Sequence, residues 1–293
     1  MQPSIVFNEL QIEAIRTLAE EKRRVLGFVG SAPIANDIFS ILEKTGIVLL
    51  EYPIRSEHDK PAFSAALMYS KEGDAELVFI GLNTADYFDK QIFAIAHELY
   101  HFYTKTGSHL SRVDEERNLI EAQANRFAAE FLLPQSVLES IVLNEFRTSS
   151  LQDVQTKKLL RFITRLQCTW WLPYRSLVKR LKVINAISNQ QYEQLYSIDE
   201  RDMDSEYGRM GKAVNEEVFL KLNRPTNNIS ASPKDIEVII RNFEDNIIDE
   251  DKFAETLSLF GKKPSDFGYE YEVYEEDIDE FEDFFNREED SES

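Results

Sequence analysis

The stretch FAIAHELYHFYTKTG, residues 93–107, decides the reading of this chain. It holds two of the four histidines, His97 and His101, with Glu98 directly after the first, and almost everything around them is apolar. On a helix, positions four apart share a face, so both imidazoles can reach one cation. Glu98 is turned about 100° away, which suits a group beside a metal rather than on it. Between Gln91 and Tyr103 it is the only acid, and burying it beside two histidines is costly without a use. This is the H-E-x-x-H arrangement in which the glutamate takes a proton from the attacking water. Five letters also occur by chance, and a histidine on an apolar face is often a hydrogen-bonded core residue. A third ligand has to separate the two readings.

A catalytic zinc usually keeps three protein ligands and one open position. The longer pattern H-E-x-x-H-x-x-G-x-x-H fails, because Thr104 holds the glycine place and Gly107 the last histidine place. His109 reaches the site only if its loop folds back. Asp114, Glu115 and Glu116 open the next helix, where acids have a structural role. Glu121 differs. It sits in LIEAQANRFAAEFLLP (119–134), with Ala124, Asn125 and Ala128 following it on the same face. The alanines let another helix approach closely, and an acid on that face points into the contact. The expected ligands are therefore His97, His101 and Glu121, with Glu98 catalytic and Asn125 hydrogen-bonding within the site. Candidates for an oxyanion stabiliser are His109, Tyr103 and Tyr87. Zinc is the expected ion; manganese, iron or another divalent metal also accepts such donors.

Working outward, spacing predicts an opening helix over 8–26 and another within SAPIANDIFSILEKTG (31–46), with Ser31 as cap and Gly46 as stop. Strand-like runs follow at 47–54, 64–70 and 76–82, the last two joined by a hairpin loop. Asn83–Asp86 is placed to cap the histidine helix, which is expected to end at Gly107, and a further helix runs from about 114 to 133. Residues 135–200 read as helical throughout. RDMDSEYGRMGKAVNEEV (201–218) reads as a connection around a short helix, and 233–261 as two more helices. The fold class is α+β: a zincin-like core with a small sheet packed on the H-E-x-x-H helix, then a mostly helical C-terminal region. The expected segments are an N-terminal helix (1–30), the metallopeptidase core (31–135), a helix-turn-helix-like segment (136–200), a helical region (201–268) and an acidic, aromatic, solvated tail (269–293).

Composition narrows the class. The chain has 293 residues, 43% hydrophobic, ample for a packed core. No apolar run is long enough to span a membrane, and the start lacks a secretory h-region, so a cytoplasmic protein is expected. The lone Cys168 reads as a small buried residue in a reducing compartment. The net charge of −20 hides an asymmetry: residues 270–293 carry −12, whereas 145–185 carry +7.

DKQIFAIAHELYH (89–101) followed by EAQANRFAAEFLLP (121–134) resembles the metal helix and glutamate helix of the ImmA/IrrE family of metallopeptidases. Helix 33–45 and strands 47–82 resemble that family's lead-in, and PYRSLVKRLKVINAIS (173–188) is similar to a segment that often follows its catalytic part. The resemblance implies a gluzincin-like fold, ligands His97, His101 and Glu121, and catalytic Glu98. It also implies a protein substrate: a helix-turn-helix repressor of the XRE type, cleaved to release stress, phage or mobile-element genes. Tyr100 stands where many members have glycine, and no DNA-binding domain precedes the core. Two other functions compete. One is an anti-repressor that seizes a repressor without cutting it, which would not need Glu98. The other is a nucleic-acid-binding regulator using the basic 145–185 segment, with Trp170, Trp171 and Arg175 available; against it stands a solvated helix face with both tryptophans in the core.

Overall fold

A computed structural model describes residues 7–55, 63–72, 75–106, 115–230 and 233–269. His109, Asp114, Gly107 and all but the first residue of the 269–293 tail fall outside these residues. The chain divides into two compact units, 1–232 and 233–293.

Unit 1 opens with α1 (Glu9–Val25), started by a capping box in which Asn8 and Gln11 satisfy each other's backbone N–H groups. The next helix begins later than its cap signals suggest. Ile34 and Ala35 are buried, a 3-10 turn covers Ala35–Asp37, and α2 spans Ile38–Thr45. Gly46 ends α2 at φ 71°, the left-handed conformation glycine adopts without steric cost. Three strands follow, β1 (Val48–Tyr52), β2 (Ala65–Glu72) and β3 (Ala75–Asn83), in the spatial order β1-β3-β2. β3 is central, parallel to β1 and antiparallel to β2. Leu67, Ile80 and Leu82 point from the sheet into the core, which also holds Ile92, Ile95, Ala96 and Leu99 of α3 (Phe88–Thr104).

The Asn83–Asp86 turn does not cap α3. Asn83 is used instead to bind the chain on either side of the sheet: its amide takes Ile54 and Ala85 N–H and gives to Ile54 and Phe63 C=O. The N-cap is Tyr87, without a side-chain cap, and the orphan N–H of Phe88 is taken 3.0 Å away by the carbonyl of Arg224. Residues 223–230 thus act as a strap. Thr84 Oγ1 donates to Asn228 O, Asn227 N to Thr84 O, and Ser230 and Glu51 exchange backbone hydrogen bonds at the outer edge of β1. At its other end α3 stops at Lys105, which takes the left-handed turn at φ 55° before Gly107 is reached.

α4 (Glu115–Leu132) lies against α3, where Phe127 meets Tyr100 and Tyr103, and its Ala124, Phe127, Ala128 and Phe131 are all fully buried. Arg23 of α1 reaches across to Phe131 O at 2.6 Å. Next come α5 (Gln135–Phe146), α6 (Thr156–Trp170), α7 (Tyr174–Val183), α8 (Asn189–Tyr196) and α9 (Glu206–Leu222). α9 corrects the expectation of a connection with a short helix over 201–218. Its two glycines hid the pattern, yet both are packing positions. A side chain at Gly211 would collide with the ring of Phe219, which folds back because Asn215 breaks the helix at φ −162° and ψ 95°. Trp170 is buried, and Trp171 is half-buried beside Phe88. The α+β expectation holds: a small mixed sheet, then a mostly helical region.

A buried polar cluster joins the start of α3 to these later helices. Asp89, fully buried, accepts from Arg201 at 2.9 and 3.1 Å and from Gln167 at 3.1 Å. Gln167 in turn accepts from Tyr207, and Arg201 donates to Asn223 while lying over the Tyr87 ring. Burial pushes the Asp89 carboxyl up and the Arg201 charge pulls it back.

Unit 2 holds α10 (Pro233–Glu244), α11 (Glu250–Ser258) and a 3-10 turn at Pro264–Phe267. Its small core stacks Phe243 on Phe253, with Tyr269 edge-on to both.

The Asp89 cluster generates a stability prediction. Asp89→Ala leaves Arg201 as an unpaired, largely buried charge and should cost about 3–5 kcal/mol in urea unfolding. Exposed Glu139→Ala should stay within about 0.5 kcal/mol of the unsubstituted protein.

Candidate metal centre

His97 and His101 project from α3 and Glu121 from α4. Their ligand atoms lie within 4.8 Å of one another, the one such His/Cys/Asp/Glu group among the described residues. His97 Nε2 is 3.1 Å from Glu121 Oε2 and 3.2 Å from His101 Nε2, and His101 Nε2 is 3.9 Å from Glu121 Oε1. Two imidazole nitrogens aimed at each other this closely need a cation or a proton between them.

The other ring nitrogens are held from behind. His97 Nδ1 lies 3.2 Å from Asn125 Oδ1, an acceptor, so His97 carries its proton there and turns the Nε2 lone pair inward. His101 Nδ1 lies 3.2 Å from the Thr106 hydroxyl, which also meets Thr104. Burial and the neighbouring His97 push His101 down to about 4, so it stands neutral and able to ligate at ordinary pH. Burial also lowers His97, but the hydrogen bond to Glu121 and the charges of Glu98 and Glu121 outweigh it and leave the group raised. Tyr100, at the position that departs from the usual glycine, is buried behind the site. Its ring packs edge-on to His101 and against Phe127, and its hydroxyl donates to Gln123.

Glu98 stays out of the ligand group. One oxygen, Oε2, accepts the Leu67 backbone N–H of β2 at 2.9 Å, which leaves Oε1 without a hydrogen-bond partner among the described residues. Burial raises its carboxyl, opposed mainly by His97.

His97, Glu98, Glu121 and Asn125 line a cleft of about 410 Å³. One side is Ser64, Ala65, Phe93 and Ala94 with the site itself; the other is formed by Pro173 at the N-cap of α7, by Arg175 and Ser176 in its first turn, and by Glu200 and Arg201. This second wall was not anticipated, because Arg175 reads as one charge in a basic run and Glu200 and Arg201 read as loop. Thr106 was missed as well, since a lone threonine after a helix carries no signal. The tyrosines named as oxyanion candidates lie elsewhere. Tyr103 packs on Phe127 with Lys22 over its ring, and Tyr87 sits beneath Arg201. His109 is outside the described residues.

A family model for a peptidase family, described as the IrrE N-terminal-like domain, matches residues 43–182. That span includes the whole sheet, both helices of the ligand group and α7. The search of curated proteins and the search of solved structures each returned no match. The match to a metallopeptidase family implies a divalent metal, and His97, His101 and Glu121 form a group that could hold one. Among the described residues no helix is long and apolar enough to cross a membrane. Over residues 43–182 the chain is thus similar to the IrrE N-terminal-like peptidase family, the family its two helix motifs resemble.

Proposed function

We propose that this protein is a zinc-dependent endopeptidase, with His97, His101 and Glu121 as ligands and Glu98 as general base. One observation carries the reading: Glu98 is pinned by Leu67 N–H beside the ligand group with one carboxylate oxygen free. A protein that only binds a partner has no use for a raised carboxyl held there.

A divalent ion on these ligands would supply a Lewis acid for the scissile carbonyl and an acidified water. Glu98 Oε1 receives the proton of the attacking water and later returns it to the leaving amine. Its raised pKa suits both halves of that exchange. Asn125 and Thr106 hold the imidazoles in register. The substrate lies extended along the edge of β2 that has no strand partner among the described residues. β3 is paired on both sides and offers no edge for this role. In the β2 register Leu67 N–H faces outward, so by the period of two Ala65 and Tyr69 also face that edge. Ala65 lines the cleft, where backbone pairing would present a scissile bond at fixed register.

The repressor substrate, and with it a role in derepressing genes from the cytoplasm, rests on the family resemblance. The binding-only alternative is separated by Glu98. The nucleic-acid reading is disfavoured by how the basic segment is used. Lys157 pairs with Glu206, Arg165 with Glu145, Arg175 with Glu200 and Arg180 with Glu130, while Trp170 is in the core.

The proposed ligand group and its base generate three predictions. Purified protein should contain about one equivalent of metal by elemental analysis, and Glu121→Ala should lose most of it. Asn125→Ala should weaken metal affinity about 10–100-fold in chelator competition. Glu98→Gln should retain the metal and lose cleavage by about 10²–10⁴-fold, because an amide of the same shape takes up no proton. A fully active Glu98→Gln protein would instead favour the binding-only alternative.

A further inference from the structure

The wall opposite the ligand group carries charge that the proposed hydrolysis does not use. Arg201 is consumed: its guanidinium meets Asp89 and Asn223 and lies over Tyr87. Lys90 is paired with Asp86 at 3.4 Å. Arg175 differs from both. Its Nε donates to Glu200 at 3.2 Å and its plane lies over the Tyr196 ring at 5.3 Å. These two contacts fix the orientation of the guanidinium, yet neither terminal nitrogen has a hydrogen-bond partner among the described residues. The side chain is 51% exposed and lines the cleft. Glu200, by contrast, is 7% exposed and already holds Arg175, so it acts as the orienting partner rather than as a competing charge in the cleft.

The surrounding backbone has the same polarity. Arg175 and Ser176 lie in the first turn of α7, which has no acidic residue and no side-chain cap. The orphan N–H groups of that turn therefore add positive potential next to the guanidinium. A preorganised arginine with two free N–H groups suits one ligand above others, a carboxylate taken in a forked geometry.

We infer that Arg175 is a specificity-determining residue that receives an aspartate or glutamate side chain of the substrate, on one side of the scissile bond. The inference rests on the proposed metallopeptidase reading and narrows it to substrates with an acid at a fixed distance from the cut. Neither the ligand group nor β2 would impose this choice, because backbone pairing and metal chelation are indifferent to side-chain charge.

A test independent of turnover uses two sets of short peptides, one with a hydroxamate at the C-terminal end and one with it at the N-terminal end, so that the hydroxamate anchors on the metal whatever the sequence. Aspartate, glutamate, alanine or lysine is placed in turn at each position near the hydroxamate, on either side of it. Binding to the zinc-loaded full chain is then measured by calorimetry. At one position the acidic peptides should bind about tenfold more tightly than the alanine peptide, the size expected of a charge-assisted pair. In Arg175→Ala that ratio should fall to about one, and in Arg175→Glu lysine should become the preferred residue. Arg175→Lys, which keeps the charge without the fork, should show an intermediate ratio. An acidic preference that survives Arg175→Ala, or its absence at every position in the unsubstituted protein, overturns the inference while leaving the peptidase reading intact. Failure of every hydroxamate to bind a protein that takes up no zinc overturns both.

Discussion

Two imidazoles and a carboxylate can share one point only if the helices that carry them lie very close together. The contact between α3 and α4 is the constraint on which the rest of the molecule depends. Tyr100 and Tyr103 of α3 meet Phe127 of α4 there, and Ala124 and Ala128 of α4 are fully buried. A β-branched or longer side chain at these alanines would push the helices apart, and overpacking of this kind typically costs about 1–3 kcal/mol. The greater loss would be geometric. Glu121 stands 3.1 Å from His97 because the helix backbones are that close. On the other side of α3, the sheet holds Glu98 through one backbone N–H of β2. The proposed ligands and the proposed base are thus set from opposite sides of a single helix.

The helical region is a structural partner of this core. Asp89 lies in the first turn of α3, and its bonds to Arg201 and Gln167 tie the helix of the two proposed histidine ligands to residues far along the chain. The same region supplies the second wall of the cleft through Arg175, Ser176, Glu200 and Arg201. A bare sheet and two helices would offer a flat site. The later helices turn it into a groove with a defined width and a defined charge.

The parts of this arrangement that were legible in the sequence are those encoded by local period and composition. The spacing of His97 and His101, the small-residue face beside Glu121, and the three strand runs each need only a short window to be read. What escaped was set by distant partners. The start of α3 is capped by Arg224 C=O rather than by Asn83 or Asp86, because Asn83 is occupied by Ile54, Ala85 and Phe63. α9 was obscured because Gly208 and Gly211, which read as breakers, are contact points where a side chain would not fit. Arg175 looked like one charge among nine lysines and arginines, and only its neighbours Glu200 and Tyr196 distinguish it.

The strap at 223–230 has a consequence for synthesis. It satisfies the first N–H of α3 and borders β1, yet it lies more than 130 residues after Phe88. On a ribosome the sheet and the metal helix emerge long before the segment that completes them, and contacts so distant in sequence close slowly. During that interval the unfinished border of β1 is an unpaired strand edge, the kind of surface that recruits other chains. A nascent chain truncated at residue 182, where the family's shared portion ends, would carry every proposed ligand but lack the hydrogen bonds that finish the helix presenting two of them. Assembly of the site is in this sense a late event in the life of the chain, timed by its distal third.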